Sequence, residues 1–207
     1  MSVHLRVAAR TDVGRVRSEN QDAFIAADLS RGQASGSPSW TGLLEVGRRG
    51  LLLAVSDGMG GLEAGEVASA MVVSSLLHSL EGALSGRLSR DDITEAVELA
   101  NHNVWTEACQ RGISMGATVT AVYLRGGAAY VAEVGDSRAY LIRAGRITQL
   151  TKDQSFVEML VDAGACTREQ AQHAPDRNVI LQAVGNEPRV SVALGRLELR
   201  QLDCLLL

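Results

Sequence analysis

The stretch Leu51-Leu52-Leu53-Ala54-Val55-Ser56-Asp57-Gly58-Met59-Gly60-Gly61 decides the fold of this chain. Residues 51–55 are apolar without alternation, so the strand they form must be covered on both faces and belongs in the middle of a buried sheet. The run ends at Asp57, just before a glycine-rich turn, and a carboxylate therefore sits where a rigid strand opens to water. Immediately upstream, residues 43–46 read as another strand and Gly47-Arg48-Arg49-Gly50 as a turn. Together they predict a hairpin whose second strand is residues 51–55.

Working toward the N-terminus, residues 30–42 are rich in Gly, Ser and Pro and form the stretch expected to be disordered. Before it come an apolar run, 23–29, a polar turn region, 11–22, and a first strand in which Val3, Leu5 and Val7 alternate with His4 and Arg6. That alternation differs from the unbroken apolar stretch of a signal peptide. Toward the C-terminus the period changes at Glu63. Ala64, Val67, Ala68, Met71, Val72, Leu76 and Leu80 mark one face of a helix that stops at Gly82. A second helix follows, with a capping box suggested by Ser89 and Asp92 and a stripe of Ile93, Ala96, Val97, Ala100, Val104 and Ala108 before Gly112.

Strands are then predicted at 118–124, 129–134, 138–143 and 147–150, separated by Gly126-Gly127, Gly135-Asp136 and Ala144-Gly145, which reads as an antiparallel meander. Two short helices are expected at 155–163 and 167–173, and residues 179–184 fit no element clearly. Last strands fall at 190–194 and 202–207. Strands, two long helices, a strand run and further helices make an α+β architecture, with helices packed on antiparallel sheets.

A chain of 207 residues with 46% apolar content can bury one sizeable core, and one domain is expected. Its net charge of −4 supplies no basic field for phosphate backbones or anionic lipids, and 3% aromatics leave few platforms for base stacking. Both argue against nucleic-acid and membrane partners. No segment has transmembrane length. Cys109, Cys166 and Cys204 are odd in number and far apart, so they read as reduced thiols, with a cytoplasmic location as the expectation.

Three aspartates stand where strands meet turns: Asp22, Asp57 and Asp136. Mg²⁺ and Mn²⁺ prefer oxygen ligands and retain several waters, which suits carboxylates held by a rigid backbone yet open to solvent. Glycine after Asp57 lets a backbone carbonyl approach an ion where a side chain would obstruct it. Each motif alone is a common turn; their order is more specific. Arg17-Ser18-Glu19-Asn20-Gln21-Asp22, Asp57-Gly58-Met59-Gly60-Gly61, Gly65-Glu66-Val67-Ala68-Ser69, Met115-Gly116-Ala117-Thr118-Val119-Thr120, Val134-Gly135-Asp136-Ser137-Arg138 and Leu150-Thr151-Lys152-Asp153-Gln154-Ser155 follow one another along the chain. Asn178-Val179-Ile180 and Ala183-Val184-Gly185 come after them.

In that combination the sequence resembles the metal-dependent protein phosphatase family, also called protein phosphatase 2C, in its bacterial form. The resemblance implies a four-layer α-β-β-α sandwich of two antiparallel sheets flanked by helices, with a binuclear site for Mn²⁺ or Mg²⁺. It implies hydrolysis of phosphoserine and phosphothreonine in proteins by a metal-activated water. By position, Asp22, Asp57 and the Gly58 carbonyl would bind metal, Asp57 bridging two ions. Asp136 would serve a third, looser site, and Arg17 would hold the substrate phosphate with its planar fork of donors. Asp57 and Arg17 are then the catalytic candidates. Residues 151–184 resemble the family's flap, where Phe156, Met159 and Leu160 could touch substrate. The implied partners are phosphoproteins, with a bacterial Ser/Thr kinase and its targets by analogy, and the chain itself is expected to be a monomer.

The chain departs from the family pattern in two places. Met59 stands where eukaryotic relatives carry a histidine assigned as general acid, a replacement that bacterial relatives share. The Leu202-Asp203-Cys204-Leu205-Leu206-Leu207 strand resembles one that, in the family, runs directly into a Ser-Asp-Gly metal motif, with an Asp-Asn motif beyond, and neither follows it within the 207 residues. A domain lacking its C-terminal part, with poor metal binding and slow turnover, is the expectation.

Rival readings fare worse. Gly112-Ile113-Ser114-Met115-Gly116 has the spacing of a nucleophile elbow, but a helix precedes it and a strand follows, the reverse of what an elbow needs. The Gly58-Met59-Gly60 loop lacks both the third glycine of a dinucleotide site and the Lys of a P-loop. His4, His78, His102 and His173 show no ligand spacing. A serious alternative of another class is a catalytically silent phosphatase-like module that binds a phosphoprotein or regulator; the carboxylates at Asp22, Asp57 and Asp136 argue against it.

Overall fold

A computed structural model describes residues 3–36, 38–60, 64–82 and 90–207. Glu63, Gly61 and Ser89, on which the helix start, one turn glycine and a helix cap were placed, lie outside the described residues. In chain order the elements are β1 (His4–Arg10), β2 (Asp22–Asp28), β3 (Gln33–Gly36), β4 (Ser39–Glu45) and β5 (Leu51–Gly60). Next come α1 (Ala64–Gly82), α2 (Arg90–Arg111), β6 (Met115–Ala117), β7 (Val119–Arg125) and β8 (Ala128–Val134). The remainder are β9 (Tyr140–Arg143), β10 (Arg146–Gln149), α3 (Phe156–Asp162), α4 (Arg168–Gln172), β11 (Ala193–Glu198) and β12 (Cys204–Leu206).

β5 lies between β2 and β7 in a seven-stranded antiparallel sheet ordered β11-β8-β7-β5-β2-β3, with the short β6 paired to the far end of β5. Its unbroken apolar run is explained by two cores. Leu52 and Ala54 face α1 and α2, where Val72, Leu76, Ile93, Val97 and Val104 are buried. Leu51 and Leu53 face the opposite way, toward Leu5, Val7, Trp40 and Leu44 of β1 and β4 and toward Leu205 of β12. Fully burying a Leu, Ile or Val side chain such as Leu52, Leu76 or Ile93 stabilises the fold by about 1.5–3 kcal/mol. The predicted stripe of the second helix is buried at all six positions, from Ile93 to Ala108.

The α+β class and the antiparallel sheets stand as expected, and among the described residues three layers are present: the α1/α2 pair, the seven-stranded sheet, and a second layer in two pieces, β1-β4 and β10-β9-β12. Several local expectations are corrected. β4 does not form a hairpin with β5; it pairs with β1, Leu44 opposite Leu5. The reason lies in its pattern. β4 buries Leu44 while exposing Thr41 and Leu43, so it suits an outer layer, whereas β5 has no face to expose. Gly50, at φ +83°, turns the chain between layers, and a side chain there would overlap the carbonyl of Leu124.

The expected meander is likewise divided. β7 and β8 pair in the large sheet, but β9 pairs with β10 and β12. Gly135, at φ +104° and packed against Thr118, sends the chain from one layer to the other. The segment expected to be disordered carries β3 and the first part of β4, because β2 offers an edge for residues 33–36 and β1 offers one for residues 39–45. The strand expected at 190–194 begins instead at Ala193, where pairing with Glu133 of β8 starts.

The short helices lie where predicted, started by local chemistry. The Ser155 hydroxyl accepts the Glu158 N–H, and Thr167 forms a capping box with Gln170. A bidentate Arg168–Glu158 pair ties α4 to α3. Residues 179–184, which fitted no element, make single bridges: Ile180 to Ser155 and Val184 to Ala117.

Candidate metal and phosphate site

Asp22 opens β2 and pairs directly with Asp57 near the end of β5. Residues directly opposite across antiparallel strands share a face, with Cβ atoms about 4.5–5.5 Å apart, and two like charges there repel. The pair is held in place nonetheless. The Asn20 side chain accepts the Asp22 N–H at 3.1 Å and exchanges hydrogen bonds with the Thr11 hydroxyl, pinning both ends of the loop that carries Arg17. On the β5 side, the Thr118 hydroxyl accepts the Asp57 N–H at 3.0 Å.

Gly58 is required by close packing. Its N–H donates to the Gln21 carbonyl at 3.0 Å, and a Cβ would overlap the carbonyl of Gly65 at the start of α1. The Ser69 hydroxyl of α1 donates to that same Gln21 carbonyl at 2.6 Å. The N-terminal end of α1 is thus seated directly on the two strands that carry the carboxylates.

Asp136 reaches the same place from the turn after β8. A cavity of about 860 Å³ is lined by Arg17, Asp22, Asp57, Gly58 and Asp136, with Asp12, Thr118, Asn178 and Ile180 among the other residues of its wall. The structure therefore brings together every residue that the sequence singled out for metal or phosphate. Phe156, Met159 and Leu160 do not line it; the segment around Asn178 and Ile180 does.

Electrostatics identify what the site favours. Burial, then the charges of Asp22 and Asp136, push the Asp57 carboxyl up to about 6, and the Arg17 guanidinium opposes that rise. Asp57 is nevertheless exposed at the cavity surface, so its desolvation comes from surrounding protein and leaves a side open. Asp136 is raised too, by burial and then by Asp153. Among the described residues no three His, Cys, Asp or Glu side chains form a group able to enclose an ion by themselves. The donors here are two paired carboxylates, a nearby carbonyl and a third carboxylate further off. An all-oxygen, incomplete set with water filling the rest fits Mg²⁺ or Mn²⁺ and does not fit a closed zinc cage.

Other candidates are set aside by their surroundings. All four histidines are exposed and the three cysteines are free. Ser114 lies in the turn from α2 to β6, a helix-to-strand passage. Among the described residues no helix is long and apolar enough to cross a membrane.

Sequence reasoning missed Asp12, the Asn20–Thr11 clamp and a buried carboxyl at Glu133. The signal for Glu133 was available, since it is the single charged residue in the strand Ala128–Val134.

Fold and site define a class: an antiparallel α+β sandwich that gathers hard-cation oxygen donors and an arginine at the open ends of its strands. The chain belongs to the protein phosphatase 2C family, which its residues 16–158 match. It is 36% identical over 205 residues to the serine/threonine protein phosphatase PstP of Mycobacterium tuberculosis, a match covering 97% of this chain and 35% of that protein. The chain therefore spans about a third of that relative's length. Its fold is similar to that of the Streptococcus agalactiae serine/threonine phosphatase, with TM-score 0.81 and 31% identity over 99% of this chain and 78% of the other. It is also similar to the catalytic domain of PstP in complex with two manganese ions, with TM-score 0.76 and 32% identity over 99% of this chain and 76% of the other.

Proposed function

We propose that this chain carries the phosphate-binding and part of the metal-binding machinery of a protein phosphatase that hydrolyses phosphoserine and phosphothreonine with Mn²⁺ or Mg²⁺. The observation that carries the reading is the direct pairing of Asp22 with Asp57 at the open strand ends, in one cavity with Arg17. Two like charges set opposite each other weaken a sheet unless a cation joins them. The relative solved with two manganese ions supports the same reading.

Asp22, Asp57 and the Gly58 carbonyl would hold the cations, and Asp136 would add a carboxylate from the turn after β8. A bound divalent ion supplies a water acidified to near-neutral pKa and offsets charge on the phosphoryl oxygens. Arg17 is exposed on the cavity wall, free to present its donor fork to phosphate oxygens and orient the phosphorus toward the carboxylates. Substrate approach is shaped by Asn178 and Ile180, so residues 151–184 act as a flap through that segment and not through the apolar residues of α3.

Targets of a bacterial Ser/Thr kinase are the proposed substrates, in the cytoplasm. The test is turnover of a phosphothreonine peptide with and without Mn²⁺. Mn²⁺-dependent phosphate release that disappears in Asp57→Asn supports the proposal. Tight peptide binding with no release under any metal would favour the silent module, and release that is equally fast without metal would overturn the metal reading.

A further inference from the structure

Thr118, between β6 and β7, is only 2% exposed. Its hydroxyl accepts the Asp57 N–H at 3.0 Å and lies 2.7 Å from the hydroxyl of Ser137, the residue after Asp136. The Thr118 main chain is fixed to the same strand: its N–H donates to the Asp57 carbonyl at 2.9 Å and its carbonyl accepts the Ser56 hydroxyl at 2.7 Å. Ser137 is anchored in turn, its carbonyl accepting the Thr120 hydroxyl at 2.5 Å. The Thr118 methyl packs on Gly135, where a Cβ would come within 2.8 Å of it.

Asp57 and Asp136 belong to different parts of the chain, a strand of the large sheet and the turn that leaves that sheet. Their separation depends on how that turn seats on β5. The hydroxyl pair sits at that seat, and a hydroxyl in this position can accept one hydrogen bond and donate or receive another at once. We infer that Thr118 and Ser137 are positioning residues, whose hydroxyl pair ties the backbone of Asp57 to the turn carrying Asp136 and so fixes the gap between the two carboxylates for a divalent cation. The consequence for cation binding rests on the metal site proposed above. Groups that orient ligands from outside commonly change metal affinity by about 10–100-fold when removed.

Two substitutions separate this role from simple packing. Thr118→Val keeps the shape and removes the hydroxyl; Thr118→Ser keeps the hydroxyl and removes the methyl. Mn²⁺ binding to the 207-residue chain is followed by paramagnetic resonance of the free ion, and exchange of the Asp57 amide is followed by NMR without metal. Thr118→Val and Ser137→Ala should each weaken Mn²⁺ binding about tenfold, while Thr118→Ser stays within about threefold of the parent. The double variant Thr118→Val with Ser137→Ala should be no weaker than Thr118→Val alone, because both break one contact.

Without metal, the Asp57 amide should exchange faster in Thr118→Val and not in Thr118→Ser. The reverse order of the two Thr118 variants, or additive losses in the double variant, overturns the inference. Should the parent chain take up no Mn²⁺, the metal reading fails while the amide measurement still decides the tether. An unchanged Asp57 exchange rate in Thr118→Val then rejects it. Ser137 is only partly buried, so Ser137→Ala carries the Mn²⁺ arm if Thr118→Val does not fold.

Discussion

Asp57 and Glu133 are carboxyl groups on two strands of one sheet, both pushed upward chiefly by burial, yet they meet opposite surroundings. Asp57 faces an open cavity with Asp22, Asp136 and Arg17 around it and rises to about 6. Glu133 is sealed, 3% exposed, flanked across the sheet by Thr120 of β7 and Ala193 of β11. One of its oxygens accepts the Lys152 N–H at 3.0 Å; the other, buried, has no hydrogen-bond partner among the described residues. Its carboxyl rises to about 7 from burial, lowered somewhat by the Lys152 contact and raised by the charge of Asp153. The difference teaches what each environment asks for. Crowded like charges in an open cavity call for a cation, whereas a carboxyl sealed between layers is neutralised by a proton.

The contrast can be broken most forcefully at Asp57. Asp57→Asn should lower Mn²⁺ affinity by at least about 100-fold, beyond the effect of an outer partner, as read by calorimetric titration. In the parent, protons compete with the cation for a carboxyl near 6, so Mn²⁺ affinity should fall as pH drops from 7 through 6. A flat profile would remove Asp57 from the metal site.

The next effect belongs to Arg17. Arg17→Ala should weaken binding of inorganic phosphate in the presence of Mn²⁺ by about 10–100-fold, the range of a charge-assisted hydrogen bond worth about 1.5–3 kcal/mol. Arg17→Lys should recover only part, because an ammonium cannot offer the two-point fork. Equal phosphate affinity in Arg17→Ala and parent would place the phosphate elsewhere.

Glu133 supplies the opposite side of the comparison. Its folded value near 7 lies above its ordinary 4.5, so its contribution to stability is fully present below about 4.5 and is lost as pH rises through 7. Glu133→Gln, neutral throughout, should abolish that slope, sparing about 2 kcal/mol of the stability the parent loses between pH 5 and pH 8. Denaturant midpoints at the two pH values measure it, and identical slopes in both proteins would refute the sealed-carboxyl account. The smallest effect is expected at Asp136, where Asp136→Asn should lower Mn²⁺ affinity about tenfold, no less than breaking the hydroxyl pair that positions it. A loss equal to that of Asp57→Asn would make it a principal ligand.

Much of the site was readable because its chemistry sits in short local motifs. Asp57-Gly58 at the end of an apolar strand and Arg17 five residues before Asp22 carry their meaning within a few residues. The supporting contacts were not readable in that way. Thr118 acts through Asp57 and Ser137, 61 and 19 residues distant in sequence, and no local pattern marks such a pair. Glu133 looked like one charge in a strand until its two flanking strands closed over it.

Composition and periodicity by themselves determined the α+β class, the two long helices with their buried stripes, and the centrality of residues 51–55, because each depends on which faces must leave water. Sheet membership was decided only by the tertiary structure. Residues 43–46 and 51–55 look like neighbours in a hairpin, and 129–134 and 138–143 look like steps of one meander, yet each pair is split between layers. The physical reason is that backbone hydrogen bonds take any partner of suitable geometry. Which partner wins depends on the summed burial of both faces, settled when β5 is covered on its two sides by separate cores.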